Sequence, residues 1–142
     1  MEVSPPETDY IRPDEWVLRK FPAAQQYYNE ASAKPVLRTA FEPNQNDRRG
    51  IWVFRERYHT AEDVVSMVGK GKPCYVVRIK VRDIENSGMT VVSDPTSVGK
   101  GHALIPETNY EEREHDWKTS RKRQQDMANL IHARDVIGPF NV

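Results

Sequence analysis

Residues 75–81 read YVVRIKV, and this stretch decides the fold because it carries the clearest alternating pattern in the chain. The odd-numbered positions are all apolar, namely Tyr75, Val77, Ile79 and Val81. The positions between them begin apolar and become charged, namely Val76, Arg78 and Lys80. A period of two residues is typical of a β-strand whose faces meet different surroundings. The stretch therefore predicts a strand with one dry face and one that becomes wet toward its end.

Five further segments are rich in branched and aromatic residues, which favours strands in the same sheet. They are residues 15–20, 36–41, 51–55, 89–93 and 102–105. Turn-forming and polar residues separate several of them, so we predict an exposed loop over Glu42–Gly50 and a turn over Asp83–Gly88.

Three helices complete the predicted fold. Thr60 is followed three residues later by Asp63, and this spacing is typical of a capped helix start. Residues 23–33 contain helix formers and predict a short helix. Residues 111–134 contain neither proline nor glycine, and their apolar periodicity predicts one long helix that buries Trp117 and Ile131. The expected class is α+β, with a mixed, mostly antiparallel sheet of about five to six strands, a short central helix and a long C-terminal helix.

Length and composition indicate one domain. The chain has 142 residues, of which 37% are hydrophobic and 30% charged, and this size suits one core. We expect a flexible N-terminal arm over residues 1–13 and a single α+β domain over residues 14–142. The start of the chain lacks a secretory pattern, and no segment is apolar enough to cross a bilayer, so a cytoplasmic location is expected.

The charge balance limits the expected partners. Lys and Arg total 21, as do Asp and Glu, so no overall field attracts nucleic acid or an anionic membrane. A protein partner or a small anionic ligand remains open. The single cysteine, Cys74, cannot form an intramolecular disulfide or a cysteine metal cluster, and no metal or cofactor motif is present.

Two histidines are the first candidate functional residues. His59 precedes the predicted helix cap, where side chains and free amides can converge on a ligand. His102 follows the adaptable stretch Gly99-Lys100-Gly101 and could serve as an acid, a base or a hydrogen-bond donor. Together with Asp94 at the start of this loop, Lys100 and His102 form the predicted ligand-binding set.

Arginines in or next to the predicted strands are the second group of candidate functional residues. Arg19 and Arg38 each follow or interrupt an apolar run, as do Arg55 and Arg78. An arginine on a strand commonly pairs with a nearby carboxylate, whereas several that converge would form an anion pocket. The catalytic candidates are therefore Arg19, Arg38, His59 and His102.

The chain resembles a group of small bacterial proteins for which no activity is assigned. The likeness rests on short segments in the same order, namely Val17-Leu18-Arg19-Lys20, Thr39-Ala40-Phe41, Gly50-Ile51-Trp52-Val53, Val91-Val92-Ser93-Asp94-Pro95 and Gly101-His102-Ala103-Leu104-Ile105. The resemblance implies a shared fold and no chemistry.

The stretch Ile51–Pro106 is also similar to the second half of ADP-ribosyltransferase-like folds, which include RNA 2'-phosphotransferases. The similarity is one of element order, and no H-Y-E or R-S-E pattern can be placed. Such enzymes use an arginine or histidine on an early strand near a nicotinamide cleft, and Arg19, Arg38 and His59 are the loose counterparts that the resemblance implies.

Two hypotheses follow. The first is a binding or accessory module without catalysis, whose loop from Asp94 to His102 contacts a partner. The second is an NAD-consuming transferase in which Arg19, Arg38, His59 and His102 surround an anionic substrate. The first predicts that these four side chains are scattered, and the second predicts that at least three of them meet in one cleft.

Overall fold

A computed structural model describes residues 10–67, 72–94 and 100–141. The fold is α+β, with a six-stranded antiparallel sheet in the order β4-β5-β2-β1-β3-β6. The strands are β1 Trp16–Pro22, β2 Ile51–Arg55, β3 Cys74–Lys80, β4 Val92–Ser93, β5 His102–Ile105 and β6 Val136–Phe140. Within these described ranges four α-helices accompany it, α1 Ala61–Met67, α2 Val81–Asn86, α3 Tyr110–His115 and α4 Trp117–Asn129, together with 3-10 helices at Arg38–Phe41 and Ala133–Asp135.

The strand predicted from residues 75–81 is confirmed as β3, which pairs with β1 over seven positions from Trp16↔Lys80 to Pro22↔Cys74. Its alternating side chains supply two separate cores. Val77 and Ile79 join the larger core, to which α4 contributes Met127 and Ala128. On the opposite face, Val76 packs with Leu18, Phe54 and the apolar residues of α1. The sheet is thus covered by apolar side chains on both faces.

The neighbouring strands β1 and β2 pair at one end only. Their registered positions are Val17↔Arg55 and Leu18↔Phe54, although β1 continues to Pro22 and β2 begins at Ile51. Toward Pro22 the two strands therefore separate. The main-chain N–H and C=O groups that face the gap must then form hydrogen bonds with groups other than the neighbouring strand.

The strands predicted at residues 15–20, 51–55 and 102–105 are confirmed, whereas the segment over residues 36–41 is not a strand. Residues 38–41 form a 3-10 helix that buries Ala40 and Phe41. The predicted helix over residues 23–33 is also wrong, because the segment consists of turns and bends with an isolated bridge between Tyr28 and Val36. Tyr28 stacks on Tyr75 with ring centroids 4.3 Å apart, and this tertiary contact outweighs the weak local helix propensity.

Two predictions in the middle of the chain were also wrong in part. Residues 81–86 form the helix α2 where a turn was expected over Asp83–Gly88. Of the strand predicted over residues 89–93, only Val92–Ser93 pairs with β5.

The long C-terminal helix is divided at Asp116. This residue leaves helical geometry, with φ −143° and ψ 72°, and its side chain accepts a hydrogen bond from the Thr119 amide. Asp116 therefore ends α3 and caps α4. Ile131 is buried as predicted, but Trp117 is 41% exposed, which corrects the expectation that it packs in the core.

At the two ends of the described chain the structure adds further features. The edge strand β6 was not predicted, since Gly138 and Pro139 are typical strand breakers that an edge can tolerate. Ile11 belongs to the core although it falls in the expected arm over residues 1–13, most of which lies outside the described residues. No helix among the described residues has the length and apolarity needed to span a bilayer.

Candidate functional site

The separation of β1 and β2 opens a cleft of about 790 Å³. The end of β1 forms one wall and Trp52 of β2 lies opposite. Residues between Thr39 and Asp47 line the rest of the opening, together with Tyr110 and Arg113 of α3. The cleft thus lies where the sheet itself offers main-chain groups and strand-end side chains to a ligand.

Arg19 lies in this cleft and bridges the separated strands. Its Nε donates to the Ala40 carbonyl at 2.9 Å, and its Nη1 donates to the Trp52 carbonyl at 2.8 Å. These bonds satisfy two carbonyls beside the gap and fix the guanidinium plane. A guanidinium has five N–H donors, so three remain after these two contacts.

Asp47 supplies a buried carboxylate to the same cleft. Burial raises the pKa of the Asp47 carboxyl, while the hydrogen bond from the Asn44 amide and the charge of Arg19 oppose this rise. For Arg19, burial lowers the pKa and Asp47 opposes the change. Each charge therefore helps the other to persist in a partly dry environment.

The cleft contains more positive than negative side chains. Arg19, Lys20 and Arg113 face two carboxylates, those of Glu42 and Asp47. The Arg113 Nε donates to Glu42 Oε1 at 3.1 Å, which joins α3 to the segment before Asp47. Three cations against two anions leave a net positive cleft.

Flat and amide-bearing side chains complete the lining. Tyr27, Trp52 and Tyr110 offer aromatic surface, while Asn44, Gln45 and Asn46 offer amide donors and acceptors. An aromatic ring with polar edges could be held by both kinds of group.

The segment Glu42–Gly50 lacks regular structure, as predicted, but it is anchored. The Asn44 amide donates to Asp47 Oδ2 at 2.9 Å, and the Tyr110 amide donates to the Asp47 carbonyl at 3.0 Å. Pro43, Asp47 and Gly50 are buried, so the expectation of a wholly exposed loop is corrected.

Arg38 does not reach the cleft. Its Nη1 donates to Gln124 Oε1 at 2.9 Å, and its guanidinium lies 5.5 Å from the centre of the Trp117 ring. Arg38 therefore links the 3-10 helix at Arg38–Phe41 to α4.

His59 and His102 both contact Phe54, and the centroid of each imidazole ring lies 5.5 Å from the centroid of the phenyl ring. The His59 Nε2 donates to the Lys100 carbonyl at 2.5 Å. The His102 ring is fully buried, and its Nδ1 donates to the Asp94 carbonyl at 3.1 Å and lies 3.4 Å from the Asp94 carboxylate. Burial lowers the pKa of His102, against the opposing effect of Asp94.

The predicted ligand-binding set is therefore partly assembled. Asp94 and His102 are in contact and buried, whereas Lys100 is exposed and lies 4.8 Å from the centre of the Tyr58 ring. Most of the loop between Asp94 and Lys100 falls outside the described residues. The two buried members hold the base of this loop.

Sequence reasoning missed Asp47, Glu42, Tyr110 and Arg113 as cleft residues. The sequence did contain a local indication for Asp47, because Asn44 and Asp47 have the spacing of a turn that is closed by a side-chain hydrogen bond. The other three meet only through the tertiary fold. Within the described ranges, no group of three His, Cys, Asp or Glu side chains has the arrangement of a metal site.

No protein-family model, curated protein or solved structure matches this chain. The class is therefore defined by the fold and the site alone: a small α+β domain with a polar cleft between two separated strands.

Proposed function

We propose that this domain is a binding module that takes a small anionic ligand of the nucleotide class in the cleft between β1 and β2. The observation that carries the proposal is Arg19, whose guanidinium is fixed by two main-chain carbonyls inside the cleft. A pre-positioned guanidinium binds phosphate or carboxylate with little loss of side-chain entropy.

The rest of the lining supports a ligand that has a ring as well as a charge. Tyr27, Trp52 and Tyr110 provide surfaces on which a flat base can stack. The amides of Asn44, Gln45 and Asn46 can both donate and accept, as the edge of a nucleobase requires.

Binding without catalysis agrees with where the four candidate catalytic residues lie. Arg19 is in the cleft, Arg38 contacts α4, and the two histidines contact Phe54. They are not grouped around one site, which is the arrangement that the binding hypothesis predicted.

A thermal-shift screen with AMP, ADP and NAD tests the proposal, because a ligand at about 100 times its Kd adds about 2.7 kcal/mol of stability. We expect at least one of them to raise the Tm of the wild-type protein. If all three leave the Tm unchanged up to millimolar concentration, the proposal fails.

Two cleft variants are then expected to change the affinity in opposite directions. Arg19→Lys keeps the charge but loses the planar fork, so the affinity should fall about tenfold. Glu42→Gln removes a carboxylate and should strengthen binding by about twofold to fivefold at low salt. Arg82→Gln, at an exposed position on α2, is the matched control. Equal affinities for all four proteins, with unfolding curves showing that each is folded, would overturn the assignment of the cleft.

One observation favours a second candidate function, an NAD-consuming transferase. The ADP-ribosyltransferase-like resemblance implies an arginine on an early strand beside the ligand, and Arg19 of β1 has that position. The reaction would break the bond between nicotinamide and ribose in NAD, release nicotinamide, and pass the ADP-ribosyl group to a nucleophile, which is water when no other acceptor is supplied. Chromatography of NAD incubated with the protein therefore tests it. Nicotinamide that appears with wild type and is lost with Arg19→Lys would support the transferase, and NAD that binds without turnover would exclude it.

A further inference from the structure

A second concavity, of about 320 Å³, lies on the other side of the tip of the Glu42–Gly50 segment. Its lining shares Gln45, Asn46 and Trp52 with the cleft and adds Arg48, Arg49 and Leu104. Two arginines and no carboxylate line it. The cleft, by contrast, has two carboxylates in its lining, whereas the Asp94 carboxylate that pairs with Arg49 is not among the residues that line this pocket.

The main chain that carries Arg48 and Arg49 is held by close packing and hydrogen bonds. Gly50, directly after them, has φ +138°, and a Cβ there would lie 2.4 Å from the Ile105 carbonyl oxygen. The Gly50 amide donates to the Asp47 carbonyl, and the Ile51 amide donates to the Thr108 carbonyl. The chain at residues 48–50 is therefore tied closely to the end of β5.

Arg49 and Arg48 have different surroundings. The Arg49 Nη2 lies 2.8 Å from Asp94 Oδ2, a carboxylate that is itself buried beside His102. Arg48 is exposed and makes no hydrogen bond or ion pair within the part of the chain that the structure describes. The pocket thus combines a guanidinium oriented by a carboxylate with one whose donors face solvent.

We propose that this Arg48–Arg49 pocket is a second anion site, which takes a phosphate group. The charged side chains that line this pocket differ from those of the cleft, because Arg48 and Arg49 line only the pocket whereas Arg19 and Asp47 line only the cleft. Trp52 and Leu104 give the pocket an apolar floor, against which the group that carries the phosphate can pack. The phosphate can come from a free phosphate ion or monoester, or from a phosphodiester backbone.

The test is a titration of the ¹⁵N-labelled protein with inorganic phosphate and, separately, with a single-stranded hexathymidylate. We expect the amide signals of Arg48 and Gly50 to move, with an affinity that falls about tenfold in Arg48→Gln. Arg82→Gln, at an exposed position on α2, should keep the wild-type affinity for this site. The Thr39 amide signal reports on the cleft in the same spectra, so shifts at Thr39 without shifts at Arg48 and Gly50 separate failure of this proposal from failure of the cleft proposal.

The two probes identify the source of the phosphate. Tighter binding of the oligonucleotide, weakening as salt is raised, supports a phosphodiester, and binding of inorganic phosphate alone supports the free ion or monoester. The proposal is overturned if neither probe moves these signals, or if Arg48→Gln binds both probes as wild type does.

Discussion

At the residue scale, buried polar side chains distinguish this domain. Arg55 is completely buried and forms two hydrogen bonds, at 2.9 and 2.7 Å, with the carboxylate of Glu15. Asp47 in the cleft and His102 beside Asp94 are further examples. Asp47 accepts from the Asn44 amide and His102 Nδ1 donates to the Asp94 carbonyl, since an unpaired buried polar group is costly.

Gly50 provides a test of close packing. Replacement with alanine should destabilise the protein by about 3 kcal/mol or more, since the backbone conformation is unfavourable for a side chain and the Ile105 carbonyl blocks the space. Gly88→Ala is the matched control, because φ is +85° there but nothing lies within 4 Å of the added carbon. It should cost only about 1–2 kcal/mol. Equal losses in urea unfolding would contradict this account.

His102 predicts a pH dependence. Burial depresses its pKa below the ordinary value of 6.5, so the unfolded chain takes up a proton at a higher pH than the folded chain does. The stabilising effect of the neutral ring is present above pH 6.5 and is lost as the pH falls toward the folded pKa.

An NMR titration of the imidazole signals measures this directly. The His102 midpoint should lie below 6.5, and unfolding free energies should decrease over the same acidic range. A His102 midpoint above 6.5 would show that Asp94, and not burial, dominates.

At the element scale, the start of α1 shows how a local signal succeeds. The Thr60 hydroxyl accepts from the Asp63 amide at 3.1 Å, and the Asp63 carboxylate accepts from the Thr60 amide at 3.0 Å. This reciprocal pair lies within four residues, so the sequence alone was enough to predict it.

Thr60→Ala should therefore reduce stability by about 1 kcal/mol through the loss of the cap. Ser66→Ala, within the same helix, removes a hydroxyl that bonds only to the Glu62 carbonyl, and should change stability by less than about 0.5 kcal/mol. Denaturant midpoints of the two variants give the comparison. If Ser66→Ala is the more damaging change, the cap does not have the role given to it.

The elements that sequence reasoning missed depend on distant residues. Residues 38–41 have strand composition, but Ala40 accepts from Arg19, and Arg38 bonds to Gln124 of α4. Such contacts join positions 21 and 86 residues apart. Periodicity alone could not reveal them, although it did locate β1, β2, β3 and β5.

At the scale of the whole molecule, sheet pairing determines where a ligand can enter. β1 pairs with β3 along its full length but with β2 at two positions. The resulting gap places Arg19 between main-chain carbonyls instead of at the sheet surface, where an arginine on a strand would commonly pair with a carboxylate. Arg19 could thus be chosen from the sequence as a candidate, but its cleft could not, because the cleft arises where β1 and β2 diverge.

The most direct test of this account is an NMR titration with AMP that follows the Arg19 side-chain Nε–H and the Thr39 amide. We predict that both signals shift together, along one saturation curve, and that Glu42→Gln moves the curve to lower AMP concentration. Signals that stay in place while AMP reaches millimolar concentration, or shifts confined to residues outside the cleft, would contradict it.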